Sequence, residues 1–424
     1  MLDIKFIRQN QKEVQKICEN KNVLLNIEDI LILDGKRKDL LDKVESLRCQ
    51  KNKLGKDDIY EAKKIKINLK EIEPKLKETE DLLEKLMLQV PNITMKEVPI
   101  GKDDTENQEI RKWGKIPNFK FDVKDHVSLG EGLDVLDIKR ASKVAGTRLG
   151  YIKGKLAFLE MALIQYAFEV LTSQEIIKKI AKSVDKNLSN KVFVPIFPPA
   201  MIRPDVFTRM ARLSPKDKDD KYYLPQDDLY LIGSAEHTLG SMHMDEIIAE
   251  DQFPIRYAGF STSFRREAGS YGKDTRGIFR VHQFDKIEME VFSLPENSLK
   301  EQNFLVAIQE YLMQSLKIPY RVMMVCTGDM GKPDARQIDI EAWLPGQNKY
   351  RETHSADLMT DYQARRLKTQ VKRKDGLELV HMNDATGFAM GRTLIAIMEN
   401  YQQKDGSILV PEVLKKYVNF EKID

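Results

Sequence analysis

Residues 257–292 decide the fold and read YAGFSTSFRREAGSYGKDTRGIFRVHQFDKIEMEVF. The segment predicts two β-strands joined by a loop over residues 268–277, where glycine, serine, aspartate and threonine cluster and favour turns. The return strand alternates with period two, so that every second side chain shares a face. One face is charged and aromatic, with Arg280, His282, Phe284, Lys286, Glu288 and Glu290. The incoming strand adds Arg265 and Glu267.

Two interpretations of this alternation are open. An ordinary antiparallel sheet with one solvated face alternates as well. The polar face, however, combines two arginines, a flat aromatic ring and carboxylates across a hairpin. Such groups suit a polyphosphate, a planar base and an ammonium group respectively. The residues by themselves leave a nucleotide site and a solvated sheet face as equal alternatives.

Residues 264–288, FRREAGSYGKDTRGIFRVHQFDKIE, resemble motif 2 of the class II aminoacyl-tRNA synthetases in the form carried by seryl-tRNA synthetases. FVPIFPPAMIRPDVF at 193–207 resembles motif 1, with Pro199 matching the proline at the family's dimer interface, and DATGFAMGRTLIAIMENYQ at 384–402 resembles motif 3. The resemblance thus covers nearly the whole chain. It implies an α+β fold, a class II synthetase antiparallel β-sheet domain flanked by helices, with an N-terminal antiparallel coiled-coil arm.

Composition restricts the classes of protein that fit. The 424 residues are 42% apolar and 32% charged with a net charge of +3, so any nucleic-acid surface must be a local basic patch. Three scattered cysteines form no metal-binding spacing and favour a reducing compartment. No apolar run reaches membrane-spanning length, and MLDIKFIRQN does not resemble a signal peptide. We expect a cytoplasmic protein with no membrane partner.

Two heptad patterns predict a helical hairpin near the N-terminus. The first seam contains Leu33, Leu40, Val44, Leu47 and Leu54, and the second contains Ile65, Leu69, Ile72, Leu76, Thr79, Leu83, Leu86 and Val90. Pro74 lies inside the second helix and should kink or open it. We place the hairpin arm at residues 1–107, ending in a polar stretch, and the catalytic domain at residues 108–424.

The end of this hairpin is basic. Residues 51–70 hold seven lysines against three acidic residues, a net charge of +4. A charged run is commonly a solvated helix face, but a basic tip also suits contacts to phosphate backbones. The resemblance favours the second interpretation, because family members grip the variable arm of their tRNA with such an arm. It implies tRNA(Ser) as a partner and leaves open whether tRNA(Sec) is charged as well.

The resemblance also implies the reaction, in which ATP activates L-serine to seryl-adenylate and the seryl group moves to tRNA. It assigns Arg265 to the α-phosphate and the serine carboxylate, Glu267 and the Val281 backbone to adenine, Phe284 to stacking beneath the base, and Arg392 to the γ-phosphate. Arg265 and Arg392 are then the catalytic residues. Glu352 and Ser355 occupy the family's Mg²⁺ position. The remaining ATP-binding positions are Arg266, Thr353 and His354.

For the serine pocket the resemblance implies Ser234, Ala235, Glu236, Arg265, Glu288 and Thr386, with carboxylates for the ammonium group and the hydroxyl. Several positions depart from the family pattern. Ser234 replaces a threonine, His354 replaces a small hydroxyl residue, and residues 208–223 replace a glycine-containing loop with what we take as a polar surface loop. Counting does not decide whether Asn383 or Asp384 matches the family's asparagine.

Three rival functions differ in features that the sequence carries. Another class II synthetase is disfavoured by the hairpin arm and by the run HQFDKIE. A non-catalytic RNA-binding paralogue would have lost Arg265, Glu352 or Arg392, and all three are present. A ligase that charges a carrier protein would lack the arm. We therefore expect a homodimeric serine–tRNA ligase.

Overall fold

The computed structural model describes the chain except for a few short stretches, namely residues 1–55, 57–214, 218–268 and 276–424. It divides into two compact units, Met1–Ile93 and Thr94–Asp424. The loop expected between the two motif 2 strands falls mostly outside the described residues, as does Lys56 near the tip of the arm.

The first unit consists of helices α1 (Ile4–Gln9), α2 (Gln11–Asn20), α3 (Ile27–Lys53) and α4 (Ile59–Met87). Only a short turn joins α3 to α4, so the two long helices run antiparallel. The apolar residues buried between them come from the expected seams, namely Val44, Ile65, Leu69 and Leu76. Arg48 on α3 pairs with Glu73 on α4 at 2.8 Å between Nη2 and Oε1. The predicted coiled-coil hairpin is confirmed.

Pro74 does not interrupt α4, which is one helix from Ile59 to Met87. The expected opening of the helix is therefore absent at this position. Pro74 lies on the exposed side, where water can bond the carbonyl that loses its N–H partner. Leu76 on the other side is buried and keeps the seam packed.

The largest sheet among the described residues has eight strands and forms the centre of the second unit. Its strands are β1 (Gln108–Trp113), β2 (Val194–Ile196), β3 (Ile255–Phe264), β4 (Gln283–Ser293), β5 (Tyr320–Met324), β6 (Arg336–Leu344), β7 (Lys349–Thr360) and β8 (His381–Ala389). Their order is β1-β5-β6-β7-β8-β4-β3-β2. Neighbours pair antiparallel, apart from the parallel pair of β2 and β3.

Helices and small sheets surround this central sheet. The helices are α5 (His126–Gly132), α6 (Ile138–Ala145), α7 (Gly154–Thr172), α8 (Gln174–Val184), α9 (Pro204–Arg209), α10 (Glu236–Leu239), α11 (Ser298–Ser315), α12 (Tyr362–Leu367) and α13 (Met390–Asn400). The remaining strands are Leu136–Asp137, Tyr151–Ile152, Met201–Ile202, Tyr223–Leu224, Leu229–Leu231, Ile247–Ala249, Gln370–Arg373, Gly376–Leu379, Ile408–Leu409 and Lys422–Ile423. This is the helix-flanked antiparallel sheet that the resemblance implies.

Alternation along β4 separates the core from the polar face of the sheet. Ile287, Met289 and Val291 join Phe304, Leu305, Ile308 and Leu312 of α11 in one buried cluster. Lys286, Glu288 and Glu290 fall on the opposite face. The expected return strand was longer: regular pairing begins at Gln283, so Arg280 and His282 precede β4.

Residues 94–107, which follow the arm, belong to the second unit. The Met95 N–H donates to the Ala335 carbonyl at 2.8 Å, and the Asn107 side chain accepts from the Cys326 N–H at 2.9 Å. Residues 94–107 are therefore fixed to the sheet domain, although their polar composition had placed them in the arm.

Within the described residues, no single helix has the length and apolarity to span a bilayer. The consecutive helices α7 and α8 reach that size together only across a 66° bend.

Candidate active site

A cleft of about 620 Å³, its open mouth included, lies on the polar face of the sheet. This is the size of a small-molecule site. Nine of the expected site residues line it, namely Arg265, Glu267, Val281, Phe284, Glu352, Thr353, Ser355, Thr386 and Arg392. We call the region around Arg265 and Arg392, where the nucleotide is expected, the nucleotide half of the site. The buried region around Ser234 and Glu288, where serine is expected, is called the amino-acid half. The expected serine residues Ser234, Ala235, Glu236 and Glu288 lie behind the cleft wall, which Lys286 and Thr386 form on this side.

Arg265 immediately follows β3 and is held on both sides. Its backbone N–H donates to the His282 carbonyl at 2.9 Å, and its Nε donates to the Gly233 carbonyl at 3.1 Å. The guanidinium carbon lies 5.3 Å from the ring centroid of Phe284. A cation fit for phosphate and a ring fit for a base are therefore direct neighbours.

Glu267 is fixed by two arginines, Arg280 from the polar face and Arg148 from a distant segment. Arg280 donates to its carboxylate at 2.8 Å, and Arg148 donates to its carbonyl at 3.2 Å. The Glu267 backbone has φ = 53°, in the left-handed region that non-glycine residues rarely adopt. A strained backbone held by two arginines is typical of a functional position.

Glu352 and Arg392 meet across the cleft. Arg392, in the first turn of α13, donates from Nη1 to the Glu352 carbonyl at 3.0 Å and pairs with its Oε1 at 3.1 Å. Loss of water opposes ionisation of Glu352, but Arg392 and then Arg265 outweigh it, so the pKa of this carboxyl lies below its ordinary value. Glu352 is a carboxylate at neutral pH.

A hydroxyl, an ammonium and a carboxylate form a closed cluster in the amino-acid half. Ser234 Oγ donates to Glu288 Oε2 at 2.8 Å, and Lys286 Nζ donates to Ser234 Oγ at 3.2 Å. Lys286 also pairs directly with Glu288. All three side chains are buried. Burial raises the pKa of Glu288, Lys286 lowers it and Glu236 raises it again, so the net shift is upward.

Glu236 begins the short helix α10, directly after the buried Ala235. Its Oε1 pairs with Arg212 Nε at 3.0 Å and with His237 Nε2 at 3.4 Å. Burial favours the neutral acid, but Arg212 and then His237 outweigh it and hold the pKa of Glu236 well below its ordinary value. Glu236 is therefore ionised and suited to an ammonium group.

The register of β8 shows which of the two side chains, Asn383 or Asp384, lies on the polar face of the sheet. Thr386 pairs with Glu288 and Asp384 pairs with Glu290, so both side chains share the polar face. Asn383 points the other way, and its Nδ2 donates to the Ser298 carbonyl at 2.7 Å. Asp384 is the residue on the pocket side.

Two of the expected ATP-binding residues do not line the cleft. Arg266 is exposed and lies 5.8 Å from the Tyr222 ring centroid. His354 is buried, with its ring 5.8 Å from Phe388 and its Nδ1 2.8 Å from Thr353 Oγ1. Burial lowers the pKa of His354 to about 3. The unexplained histidine is thus a neutral side chain in the packing behind β7.

Residues 208–223 are only partly the polar surface loop that was expected. Met210 and Leu213 are buried, and Arg212 reaches the carboxylates of the amino-acid half. Asp220 accepts from the Ala268 N–H at 2.9 Å and so holds the start of the loop that follows Arg265. Long-range contacts of this kind leave no periodic signal in the sequence.

Some residues were missed although a signal existed. Lys286 lies on the same strand face as Phe284 and Glu288, so alternation alone would place it in the cleft. Phe279 supports Arg392, whose guanidinium carbon is 4.8 Å from its ring centroid. Gln309 of α11, in contrast, had no sequence signal. It donates to the carbonyls of Ser355 and Thr386 at 2.7 and 2.9 Å.

Glu352 and Ser355 offer hard oxygen atoms of the kind that Mg²⁺ prefers. Asp339 lies opposite Ser355 in the β6–β7 register. Burial and then the nearby charge of Glu352 raise the pKa of Asp339 well above its ordinary value. A divalent cation would relieve this accumulation of negative charge, so the residues present fit the ion.

Known proteins match both units. The family model described as the tRNA synthetase class II core domain (G, H, P, S and T) matches residues 221–401. The model of the seryl-tRNA synthetase N-terminal domain matches residues 1–94. The serine–tRNA ligase of Thermodesulfovibrio yellowstonii is 39% identical over 441 aligned positions, covering both chains completely.

Solved structures agree with these matches. The seryl-tRNA synthetase of Pyrococcus horikoshii, complexed with ATP, superposes with a TM-score of 0.89 at 36% identity, covering 100% of this chain and 99% of that one. The cytoplasmic serine–tRNA ligase of Naegleria fowleri, in complex with AMP, gives 0.86 at 30% identity with the same coverage. The chain therefore belongs to the seryl-tRNA synthetase family of the class II aminoacyl-tRNA synthetases.

Proposed function

We propose that the protein is an ATP-dependent serine–tRNA ligase. The serine carboxylate attacks the α-phosphate of ATP, which forms seryl-adenylate and releases pyrophosphate. The terminal ribose hydroxyl of tRNA(Ser) then attacks the acyl carbon and releases AMP. One observation carries the proposal: the Arg265–Phe284 pair and the buried Ser234–Lys286–Glu288 cluster share one face of the sheet.

In the nucleotide half, Arg265 binds the α-phosphate and the serine carboxylate and so aligns the two reacting groups. Phe284 stacks on adenine, Glu267 with the Val281 backbone orients the adenine amino group, and Arg392 binds the γ-phosphate. The arginines neutralise charge that develops on the phosphate during the attack, and no protein nucleophile is required. Thr353 lines the wall, whereas Arg266 and His354 act through neighbouring residues.

We also propose that Glu352 and Ser355 hold Mg²⁺. When bound, the ion neutralises phosphate oxygens and restrains the triphosphate. The Glu352 carboxylate supplies the charged ligand, and the Ser355 hydroxyl supplies a neutral one. Arg392 competes for Oε1 of Glu352, so nucleotide binding must redistribute this ion pair.

In the amino-acid half, Glu236 accepts the ammonium group of serine while Glu288 and Thr386 bond the side-chain hydroxyl. Ser234 and Ala235 form the wall beside them. Glu288 and Thr386 are buried before the ligand arrives, and Glu236 is largely so. Alanine would bring no hydroxyl to bond Glu288 and Thr386, and each hydrogen bond lost at a buried group costs on the order of 1–3 kcal/mol. The pocket therefore selects a hydroxyl.

We assign tRNA binding to the arm formed by α3 and α4 in the first compact unit, Met1–Ile93, and catalysis to the second unit, Thr94–Asp424. The lysines near its tip are exposed on both helices, namely Lys51, Lys53, Lys63, Lys64, Lys66 and Lys70. Exposed lysines on a rigid hairpin suit phosphate backbone contacts. The coiled coil and its basic tip are the features of the arm from which we infer its function.

We propose a homodimer that works in the cytoplasm. Apolar side chains of α7 and the motif 1 segment are exposed, with Phe158 59%, Met161 55%, Val194 53% and Phe197 76% accessible. Exposed large apolar side chains of this kind favour a protein interface. Three free cysteines suit a reducing compartment.

Pyrophosphate exchange with each of the twenty amino acids in turn tests the proposed activity. We expect ATP–pyrophosphate exchange with serine and at least 100-fold less with alanine. Exchange stimulated equally by another amino acid, or by none, would contradict the proposal.

A further inference from the structure

Arg212, from the segment 208–223 that departs from the family pattern, meets Asp384 of β8 beneath the amino-acid half. Arg212 Nη2 lies 3.0 Å from Asp384 Oδ2, and Arg212 Nε lies 3.0 Å from Glu236 Oε1. Asp357 is a third partner at 3.8 Å. The Arg212 side chain is 16% exposed, and buried Met210 and Leu213 on either side fix its backbone.

The surroundings of Arg212 hold more acids than bases. Within the described residues the cluster contains the carboxyl groups of Glu236, Glu288, Glu290, Asp357 and Asp384 and the cations Arg212 and Lys286. Burial, followed by neighbouring carboxylates, raises the pKa of Asp384 and Glu290 well above the ordinary values. Burial and neighbouring carboxylates thus oppose ionisation of Asp384 and Glu290, whereas Arg212 favours it, so loss of this cation would alter the charge of the cluster.

Glu236 depends on this cation most directly. One carboxylate oxygen from each of Glu236, Glu288 and Asp384 lies within 4.8 Å of the other two. At this separation ionised carboxylates repel one another strongly. Arg212 and His237 both pair with Oε1 of the Glu236 carboxylate. The Arg212 guanidinium also donates a hydrogen bond from Nη2 to Asp384, so one cation holds two neighbouring carboxylates together.

We propose that Arg212 is a positioning residue of the amino-acid half: its guanidinium ties Glu236 to Asp384 and thereby presents Glu236 to the ammonium group of serine. This inference rests on the proposed function. Arg212 does not line the cleft, and the carboxylates that it contacts at 3.0 Å belong to the amino-acid half. Its loss must therefore weaken serine binding and leave ATP binding intact.

The test is pyrophosphate exchange with Arg212→Gln, Arg212→Lys and Asp384→Asn. For Arg212→Gln we expect the KM for serine to rise at least tenfold and the KM for ATP to stay within twofold. Arg212→Lys keeps the positive charge but lacks the planar guanidinium group, so its KM for serine should lie between those of the wild type and Arg212→Gln. In the double variant Arg212→Gln/Asp384→Asn the KM for serine should fall back from its value in Arg212→Gln, because an unpaired acid is gone.

Arg373→Gln is the matched control. Arg373 also contacts three carboxylates, Glu250, Glu296 and Glu378, at 2.7–2.9 Å, but on another part of the domain. Its replacement should leave both KM values unchanged. Thermal unfolding of every variant separates lost folding from lost binding.

An unchanged KM for serine in Arg212→Gln, or an equal rise in both KM values, would overturn the positioning role. If Arg212→Gln does not fold, Arg212→Lys decides: a KM for serine equal to that of the wild type overturns the proposal, and a selective rise supports it. Absence of serine-dependent exchange in the wild-type protein would instead reject the proposed function.

Discussion

The nucleotide half and the amino-acid half of the cleft hold their charges differently. Glu352 and Arg392 are 50% and 20% exposed in their side chains, and water can rearrange around them. Lys286 and Glu288 are 7% and 1% exposed and already paired with each other. Exposed charges regroup around a ligand, whereas buried charges must be arranged beforehand. We infer that the nucleotide half supplies the chemistry and the amino-acid half supplies selectivity.

The largest effect should come from the residue that serves both halves. Arg265→Ala should lower kcat/KM of serine-dependent pyrophosphate exchange by about 10³-fold, because a fixed charge at the reacting phosphate is lost. Folding should persist, since Arg265 is only partly buried. Arg203→Ala removes an exposed arginine beside Asp205 and serves as the control. Near-normal exchange in Arg265→Ala would remove this residue from the site.

The arm should affect neither half. Replacing residues 52–70 by a short glycine-containing turn should leave pyrophosphate exchange intact and lower transfer to tRNA by roughly 100-fold, mostly through KM, because phosphate contacts add binding energy far from the reacting bond. The competing account makes the arm a dimerisation coil. It predicts normal aminoacylation with an altered sedimentation coefficient.

Charge reversal gives a milder version of the same test. Reversing Lys63, Lys64 and Lys66 should weaken tRNA binding and flatten its salt dependence, since fewer counterions are released. Reversing Lys75, Lys77 and Lys85 near the base of α4 is the matched control. Equal losses in the two sets would mean that the tip is not the contact surface.

A smaller effect is expected within the nucleotide half. Glu352→Gln should raise the Mg²⁺ concentration at half-maximal exchange by about tenfold, because a charged oxygen ligand becomes neutral. Glu341→Gln is the control, since Glu341 lies opposite Glu352 in the strand register but pairs with Arg321 at 2.6 Å. An unchanged Mg²⁺ dependence in Glu352→Gln would reject this carboxylate as a ligand.

The smallest effect concerns the wall of the amino-acid half. Ser234→Thr adds one methyl group to a fully buried position and should lower activation of threonine relative to serine by tenfold at most, because one methyl group is worth about 1 kcal/mol. Ser293 at the end of β4 is also fully buried, and Ser293→Thr should leave the ratio of threonine to serine activation unchanged. Unchanged or increased threonine activation in Ser234→Thr would show that position 234 does not line the side-chain pocket.

The nucleotide half could be predicted from the sequence more completely than the buried amino-acid half. The resemblance to the family motifs implied Arg265, Phe284 and Arg392, and all three line the cleft as expected. The hairpin arm followed from the periodicity of its heptads. The broad class of the fold was likewise readable from motif order along the chain.

Contacts between distant segments were not predictable in this way. Arg212 meets Glu236 and Asp384, which lie 24 and 172 residues further along the chain, and no local period encodes such a meeting. His354 shows the converse, because its position in the motif suggested the ATP site while packing placed it behind β7. Burial depends on contacts between distant parts of the folded chain. The residues of the buried amino-acid half were therefore predicted less completely than those of the nucleotide half.

The central claim is that one cleft binds a nucleotide in its exposed half and selects serine in its buried half. Competition binding with 5′-O-sulfamoyl adenosine analogues of seryl- and alanyl-adenylate tests it most directly, because both share the nucleotide and differ only in the hydroxyl. We predict that the seryl analogue binds at least 100-fold more tightly, which corresponds to about 2.7 kcal/mol. Equal affinity for the two analogues would contradict the account.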